Sequence, residues 1–468
     1  MEGPLRTINS GGKQAATLAE NVAMQLIDEI ASGDRVPGSK LPSIRSAARE
    51  YGVSKNTIVE AYERLSTAGH IISKPRSGFV VSTPPLTASR PKHVSEAVDI
   101  ASLLNAQLEE SFEIRVGDGR PPPSWTDESE IRRHLGIMGK GPSSTTDGYG
   151  SAWGFPPLRQ QIAKRLEKQH IQASERNIVL TFGANHALDL VIRAFLAPGD
   201  VVLVDEPGYY PLFAKLKLAQ VRVVGVRRLP DGPDIEDFAS KAATERPKLF
   251  ITQSIGHNPT GGSLSVSVAH SILTIAAKHN VTIVEDDPFA DLSPTPPNRL
   301  ATLDQLNQVI SIGTFSKTLS ASLRSGHIAG RADKIAALAE LKMLTTVNSS
   351  GYVERLLHRL TSEGHYDRHI KRLGQRIEAA ANRVHGILTR SGHSIFAGNG
   401  GGYYLYLMLP EGINDIELAR HGAREGIFIA PGSVFCLDKQ NPMAAGIRIN
   451  VARADSDRFF DFLLRKLS

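Results

Sequence analysis

A chain of 468 residues is too long for one small domain, so two or three domains are the starting expectation. Hydrophobic residues at 41% and charged residues at 22% exclude a fibrous or disordered composition, and a net charge of +6 permits contact with nucleic acid without requiring it. The N-terminus MEGPLRTINSGGKQ has no apolar signal-like core and no run of about 18 apolar residues occurs, so a cytoplasmic protein without a membrane partner is expected.

The first 82 residues read as a compact helical unit closed by a short hairpin. Ala19, Val22, Ala23, Leu26 and Ile30 fall on one face at helical period, and Gly33 ends that helix. After the Pro37-Gly38 turn, Pro42 and Ser43 open a second short helix through Tyr51, with Ser43 as its cap. Gly52 breaks the chain. Ser54 caps a third helix that buries Ile58, Ala61, Tyr62 and Leu65 and stops at Gly69. Two extended pieces, Ile71 to Ser73 and Phe79 to Ser82, are joined by Lys74-Pro75-Arg76-Ser77-Gly78.

Residues 83–112 lose this patterning, carry Pro84, Pro85 and Pro91, and read as a linker. From 113 to 468 short apolar runs alternate with helical stretches. Asn177 to Phe182, Val201 to Asp205, Leu249 to Gln253, Val281 to Glu285 and Val309 to Gly313 have the composition of strands covered on both faces. The fold class expected is α/β with a mostly parallel sheet. From about Ala332 the chain is helix-rich, with strands again at Tyr403 to Leu409 and Ile447 to Val451, which suggests a small C-terminal α/β lobe. Cys436, the single cysteine, excludes an internal disulfide and a Cys-based metal site; it reads as a core residue, and no metal is expected.

Two helices joined by a glycine turn suit a helix-turn-helix, whose second helix enters the major groove. Here that helix begins Ser54-Lys55-Asn56-Thr57: a cation for phosphate or guanine, an amide that pairs with adenine, and hydroxyls for the backbone, at the positive end of a helix dipole. Lys74 and Arg76, with Gly78 permitting the turn, suit the adjacent groove or its phosphates, and Arg45 suits the DNA backbone. By periodicity alone an ordinary three-helix bundle with solvated charges fits as well. The segment nevertheless resembles the GntR-type winged helix at Pro37-Gly38, Leu41-Pro42-Ser43, Arg45, Gly52-Val53-Ser54, Lys55, Asn56-Thr57 and Gly78. That resemblance implies double-stranded DNA as a partner. Lys55 stands where the family usually carries arginine, and lysine lacks the rigid fork that reads guanine.

A second set of residues points to chemistry. In Ser311-Ile312-Gly313-Thr314-Phe315-Ser316-Lys317 a lysine follows an apolar strand amid hydroxyls, with Arg324 nearby; taken alone it reads as a surface charge. Val281 to Asp287 is an apolar strand ending in acids, where open sheets build ligand sites. His257-Asn258-Pro259-Thr260-Gly261 offers an amide on a rigid turn. Thr181-Phe182-Gly183-Ala184-Asn185 lies between strand and helix, where backbone amides receive phosphate, and Tyr209 offers a stacking ring.

In this order the pieces resemble fold type I, aspartate-aminotransferase-like proteins that use pyridoxal 5'-phosphate. The resemblance implies that Lys317 forms the Schiff base, Asp286 pairs with the ring nitrogen, Asn258 faces the phenolic oxygen and Tyr209 stacks. It implies a phosphate cup of Gly183, Ala184, Asn185, Thr314, Ser316 and Arg324, with Tyr149 arriving from a partner subunit, and Arg448 gripping a ligand carboxylate. Phe289 departs from the Asp-Asp-Pro-Tyr motif common in that group, which removes one hydroxyl.

A GntR-type domain ahead of such a body is the arrangement of the MocR-type regulators. The resemblance implies a homodimeric, DNA-binding transcriptional regulator that senses a small amino compound, or pyridoxal phosphate itself, at Lys317. The alternative is an active aminotransferase carrying a DNA-binding appendage.

Overall fold

The computed structural model describes residues 17–32, 35–36, 38–67, 70–74, 78–82, 91–100, 112–126, 128–138, 148–292, 298–398 and 400–467. The chain divides into two compact units, Met1–Pro91 and Lys92–Ser468.

In the first unit, helices α1 (Leu18–Ser32), α2 (Ile44–Glu50) and α3 (Lys55–Thr67) precede an antiparallel hairpin of β1 (Ile71–Lys74) and β2 (Gly78–Val81). The helical stripes meet in one core, where Val22, Ala23 and Leu26 pack with Ala47, Ile58, Ala61, Tyr62 and Leu65. The hairpin closes it, since Ile71 and Val81 join that core and the Phe79 ring meets Tyr62 edge-on at 5.1 Å. Ser43 caps α2 by accepting from the Ser46 amide, so the helix starts just past Pro42. The stretch before α2 does more than turn: Leu41 N–H donates to Phe79 O, Val81 N–H to Ser39 O, and Gly38 N–H to Val81 O. Gly33, Pro37, Gly69 and Arg76 lie outside the described residues.

In the second unit an eight-stranded sheet runs in the order β3-β10-β9-β8-β7-β4-β5-β6. These are β3 (Ile178–Thr181), β4 (Val201–Glu206), β5 (Arg222–Leu229), β6 (Gly232–Pro233), β7 (Leu249–Thr252), β8 (Thr282–Asp286), β9 (Val309–Thr314) and β10 (Gly326–Ala329). The strands β5, β4, β7, β8 and β9 are mutually parallel, and β10 runs antiparallel to both its neighbours. Alternate side chains feed two separate cores: Leu203, Phe250 and Ile283 on one face, Val204, Ile251 and Val284 on the other. Burial on both faces is why the strands read as continuous apolar runs. The five expected strands appear within one or two residues of their expected ends. β5 escaped the apolar criterion because it carries Arg222, Arg227 and Arg228, and β10 because Gly326 and His327 leave only Ile328 and Ala329 as apolar residues in it.

Strands β11 (Tyr404–Met408), β12 (Ala430–Pro431) and β13 (Gly446–Asn450) form an antiparallel sheet in the order β11-β13-β12, with helices His365–Arg390, Asp415–Arg424 and Asp457–Leu467. Residues 114–117 belong to this lobe as well: Ile114 bridges Ile427, Gly117 N–H donates to Phe428 O at 2.8 Å, and Asn450 N–H donates to Val116 O at 2.7 Å. The stretch read as a linker contains a nine-residue helix, Lys92–Ile100. It packs on helix Tyr210–Leu218 through buried Ala97 and a 2.7 Å Lys217–Glu96 ion pair, so Pro84 to Pro91 marks a break in patterning and Lys92–Ile100 belongs to the second unit. Among the described residues no helix is long and apolar enough to cross a membrane.

Gly154 is one place where only glycine fits. Its φ is +92°, and an added Cβ would lie 2.5 Å from Leu180 Cγ and Cδ1 on β3. Gly154→Ala should therefore destabilise the second unit by about 1–3 kcal/mol. Trp125 and Trp153 are the chain's two tryptophans and both lie in this unit, so their fluorescence during urea unfolding isolates the effect. An unchanged midpoint would refute the close-packing argument.

Candidate functional site

The parallel strands all end on one side of the sheet, and the segments leaving those ends enclose a cavity of about 510 Å³. That size suits a small organic ligand. Lys317 follows β9, Asp286 ends β8, Asn258 follows β7, and Tyr209 follows β4 as the residue before helix Tyr210–Leu218. All four line the cavity with Ala184, Asn185, Thr314, Ser316, Arg324 and Arg448. Such placement is the rule for open α/β sheets, where loops at the carboxyl ends of strands carry ligands.

The acidic turn shows how backbone geometry selects one residue of three. Successive side chains of a strand point to opposite faces. Glu285 and Asp287 therefore turn away together, where Arg299 pairs with both at 3.2 and 3.0 Å, Leu300 N–H donates to Glu285, and the Ser254 and Ile255 amides donate to Asp287. Asp286 alone faces the cavity, buried, with Oδ1 lacking any hydrogen-bond partner. Gln253 braces this wall, donating from Nε2 to Asp286 O at 3.1 Å and accepting the Asn258 amide at 2.7 Å. Beneath it Asp205 receives Arg228, Thr252 and the Gln253 amide, a fully buried set that fixes the ends of β4 and β7.

One end of the cavity lies beside Gly183, whose φ of +87° turns the chain into helix Ala184–Phe195. A Cβ on Gly183 would stand 3.4 Å from Arg324 Nη2 and 3.5 Å from Ser316 Oγ, so the glycine keeps that space open. Arg324 is held there by donating to Phe182 O, Thr314 Oγ1 accepts the Ser316 amide, and Ser316 Oγ is buried without a partner. A helix N-terminus, a guanidinium and the Ser316 hydroxyl converge on one open space, a donor set suited to an anion, while the Thr314 hydroxyl donates to Ser325 O at 3.2 Å.

At the opposite end Arg448 on β13 is buried between the Tyr404 and Phe435 rings, each 4.9 Å from its guanidinium carbon. It donates from Nη1 to Asn258 Oδ1 at 2.8 Å and from Nη2 to Gly117 O at 2.6 Å, while Nε has no partner. Lys317 Nζ donates to Gly119 O, which also accepts from the Tyr404 hydroxyl at 2.9 Å. Gly119, Arg120, Gln253 and Tyr404 line the cavity unannounced by any sequence motif, because strand register and the return of residues 112–120 to the C-terminal lobe bring them there. Tyr149 is 91% exposed and does not line the cavity of its own chain. Phe289 is fully buried, edge-on to Tyr403 and Tyr404 at 5.5 and 5.6 Å, and lies behind the wall.

These surroundings shift both reactive groups towards neutrality. Burial holds the Lys317 ammonium down at about 8, with Arg448 adding to the effect and Asp118 and Asp286 opposing it. Burial lifts Asp286 to about 7; the neighbouring Asp287 carboxylate adds to this and Lys317 works against it.

In the first unit Lys55, Asn56, Arg45 and Gly78 are exposed. Ser54 Oγ accepts the Thr57 amide at 3.1 Å and lies 2.8 Å from Thr57 Oγ1, so both hydroxyls are engaged in capping α3 and Lys55 and Asn56 project from the first turn. Lys74 closes β1, paired with Gly78.

Residues 114–460 match the family described as aminotransferase class I and II, and residues 18–81 match bacterial regulatory proteins of the gntR family. The HTH-type transcriptional regulator YdcR of Escherichia coli, itself uncharacterised, is 29% identical over 430 residues, covering 89% of this chain and 91% of that protein. NorG of Staphylococcus aureus, an HTH-type transcriptional regulator, is 27% identical over 423 residues, covering 85% and 92%. Among solved structures, kynurenine aminotransferase of Pyrococcus horikoshii in complex with PMP is similar at a TM-score of 0.74 and 24% identity, covering 82% of this chain and 97% of that one. LysN, the α-aminoadipate aminotransferase of Thermus thermophilus, gives 0.72 at 21% identity, covering 81% and 96%. These two likenesses establish the fold.

The position of Lys317 sets its nucleophilicity. Only the neutral amine attacks a carbonyl, so its trapping by an aldehyde and cyanoborohydride should rise about tenfold per pH unit and level off above about pH 8. Exposed lysines should keep gaining towards their ordinary 10.5. Peptide mass spectrometry separates them, and a Lys317 profile matching that of surface lysines would contradict the buried, cation-flanked site.

Proposed function

Because the chain belongs to the aminotransferase class I and II family and carries a gntR-type helix-turn-helix domain ahead of it, we propose that it is a transcriptional regulator whose DNA binding responds to an amino compound, or to pyridoxal 5'-phosphate itself, at Lys317. Its relatives are HTH-type transcriptional regulators with which it shares most of its length, the MocR-like arrangement. The observation that carries the reading is the cavity in which Lys317 and Arg448 face an unpartnered Asp286, on the same chain as a DNA-binding domain.

The residues present fit the cofactor. The orphaned Asp286 Oδ1 suits a protonated ring nitrogen, and the orphaned Ser316 Oγ beside the space that Gly183 leaves open suits a phosphate. When bound, pyridoxal phosphate supplies an aldehyde carbon that condenses with primary amines and a ring that withdraws electrons. Lys317 is the residue that would hold that carbon, and its lowered pKa keeps part of it nucleophilic near neutrality. Gly183, Ala184, Asn185, Thr314, Ser316 and Arg324 would hold the phosphate, and Tyr209 would cover the ring. The Asn258 carbonyl is already taken by Arg448, which leaves its amide nitrogen to donate to the phenolic oxygen. Phe289 brings no hydroxyl to that oxygen. Arg448 offers its Nε edge to a ligand carboxylate.

A homodimer completes this reading. Tyr149 stands exposed on its own chain, and in a pair it would serve the partner's phosphate end; two DNA-binding domains would then read paired half-sites. The joint presence of Lys317, Asp286 and Arg448 also favours a second reading, an active aminotransferase with a DNA-binding appendage. Rapid multiple turnover of an amino donor with a keto acid would select it.

Lys317→Ala should abolish both the lysine Schiff-base absorbance band that borohydride reduction removes and any Lys317-dependent response of DNA affinity to amines, while leaving cofactor-independent DNA binding intact; an unchanged band and response would refute the proposal. On a DNA site selected from random sequence, Asn56→Ala should cost about 1–3 kcal/mol and relax preference at one base pair. Lys55→Ala should weaken all sequences alike and reduce the salt slope by about 1. Fluorescence anisotropy across salt concentrations distinguishes them, and two variants without effect would remove α3 from the interface.

A further inference from the structure

Away from the cavity, a second polar cluster forms where helix Glu128–Met138 meets the start of helix His365–Arg390. Glu130 and His134 stand four residues apart and so share one face of their helix. Glu363 and His365 flank Gly364, whose φ of +73° turns the chain from helix Gly351–Ser362 into the longer one. Among the described residues, Glu130, His134 and His365 bring one possible ligand atom each within 4.8 Å of one another.

The spacing is that of a coordination shell. Tetrahedral zinc, with bonds of about 2.0–2.1 Å, sets its ligand atoms about 3.3 Å apart. Here Glu130 Oε2 lies 3.5 Å from His134 Nε2, and Glu363 Oε2 lies 3.8 Å from His134 Nε2 and 3.5 Å from His365 Nε2. Arg359 steadies Glu363 by donating to its other oxygen at 2.9 Å. A cationic group already stands among these atoms: Arg133 Nη2 is 2.7 Å from Glu130 Oε2, 3.3 Å from His134 Nε2 and 3.2 Å from His365 Nε2. The Arg133 side chain is 53% exposed, so it can swing into solvent and yield that place to an ion. His134 is buried and its Nδ1 has no partner, so that ring meets other polar groups through Nε2. His365 Nδ1 meets Arg368 Nη2 at 2.9 Å and lies 3.3 Å from Glu130 Oε2, a carboxylate able to accept its proton once Nε2 ligates.

We propose that His134, His365, Glu130 and Glu363 form a binding site for a divalent transition metal, zinc by preference. Two imidazoles select zinc and its neighbours over magnesium and calcium, which take oxygen shells. The ion has a way in, because the Glu130 and His365 side chains are partly exposed. Once bound, it fastens helix Glu128–Met138 to the turn between the two later helices, and it does so independently of what binds at Lys317. The site departs from the expectation of no metal: the cysteine count bears only on thiolate ligands, and His134 and His365 lie on separate helices far apart in sequence.

Calorimetric titration of the full-length protein with zinc tests the assignment. One zinc should bind per chain. Glu130→Gln and His365→Gln should each weaken it about tenfold or more, and Arg133→Ala should tighten it about threefold by removing the competing guanidinium. Zinc should also raise the urea midpoint reported by Trp125 and Trp153 in the unaltered chain and leave it unchanged in His365→Gln. Should His365→Gln fail to fold, the partly exposed Glu130 and Arg133 positions carry the test. Absence of zinc binding, or an affinity indifferent to Glu130→Gln and Arg133→Ala, would overturn the site and assign any bound zinc to other histidines. A midpoint raised equally in the unaltered chain and in His365→Gln would contradict it as well.

Discussion

The second unit is organised around a buried carboxylate that has been left short of one partner. Asp286 sits at the end of a central strand, inside the protein, with Oδ1 unbonded and its acidity pushed up to about 7. Removing a carboxylate from water without compensation is costly, and proteins avoid it by pairing or protonation. The acids on either side are paired: Glu285 and Asp287 share Arg299 and nearby backbone amides. The deficit is therefore local to the one acid that faces the cavity. On the proposed reading a cationic group stands opposite Asp286, and the surrounding walls decide which one.

Those walls come from separate stretches of chain that only the sheet brings together. Parallel strands connected by crossovers all deliver their exits to one side, so residues as distant as Gly183, Asn258 and Lys317 meet without any being near another in sequence. Gly183 and Arg324 leave space at one end, where the proposed reading puts an anion, and Arg448, held between two rings, stands at the other, where it puts a carboxylate. Between them lie a lysine made less basic and an acid made less acidic, the pairing by which sites tune proton position near neutral pH.

Much of this was legible in the sequence, for identifiable reasons. Strands buried on both faces announce themselves as apolar runs, helices by their stripes, and turn chemistry by glycine and proline, so the mostly parallel sheet and the three-helix unit with its hairpin could be read directly. Lys317, Asp286, Asn258 and Arg448 were found because short motifs bracket them. Gln253, Tyr404 and Gly119 were not, since nothing local marks them; Tyr404 reaches the cavity through the pairing of β11 with β13, and Gly119 through the docking of residues 112–120 on the C-terminal lobe. The helix Lys92–Ile100 was hidden by the prolines before it, and its order comes from packing on helix Tyr210–Leu218. Phe289 was legible as a missing hydroxyl, but its burial against Tyr403 and Tyr404 was not.

On the proposed reading, one covalent position governs whether the DNA-binding domains respond, and that position can be frozen. Borohydride reduction fixes the cofactor to Lys317 and prevents exchange with an incoming amine, leaving the rest of the protein intact. The decisive measurement is the affinity of reduced and unreduced protein for a selected DNA site, before and after adding amino compounds that alter the cofactor's absorbance. The account predicts a change in affinity for the unreduced protein and none for the reduced protein. An equal response in both would contradict control through Lys317.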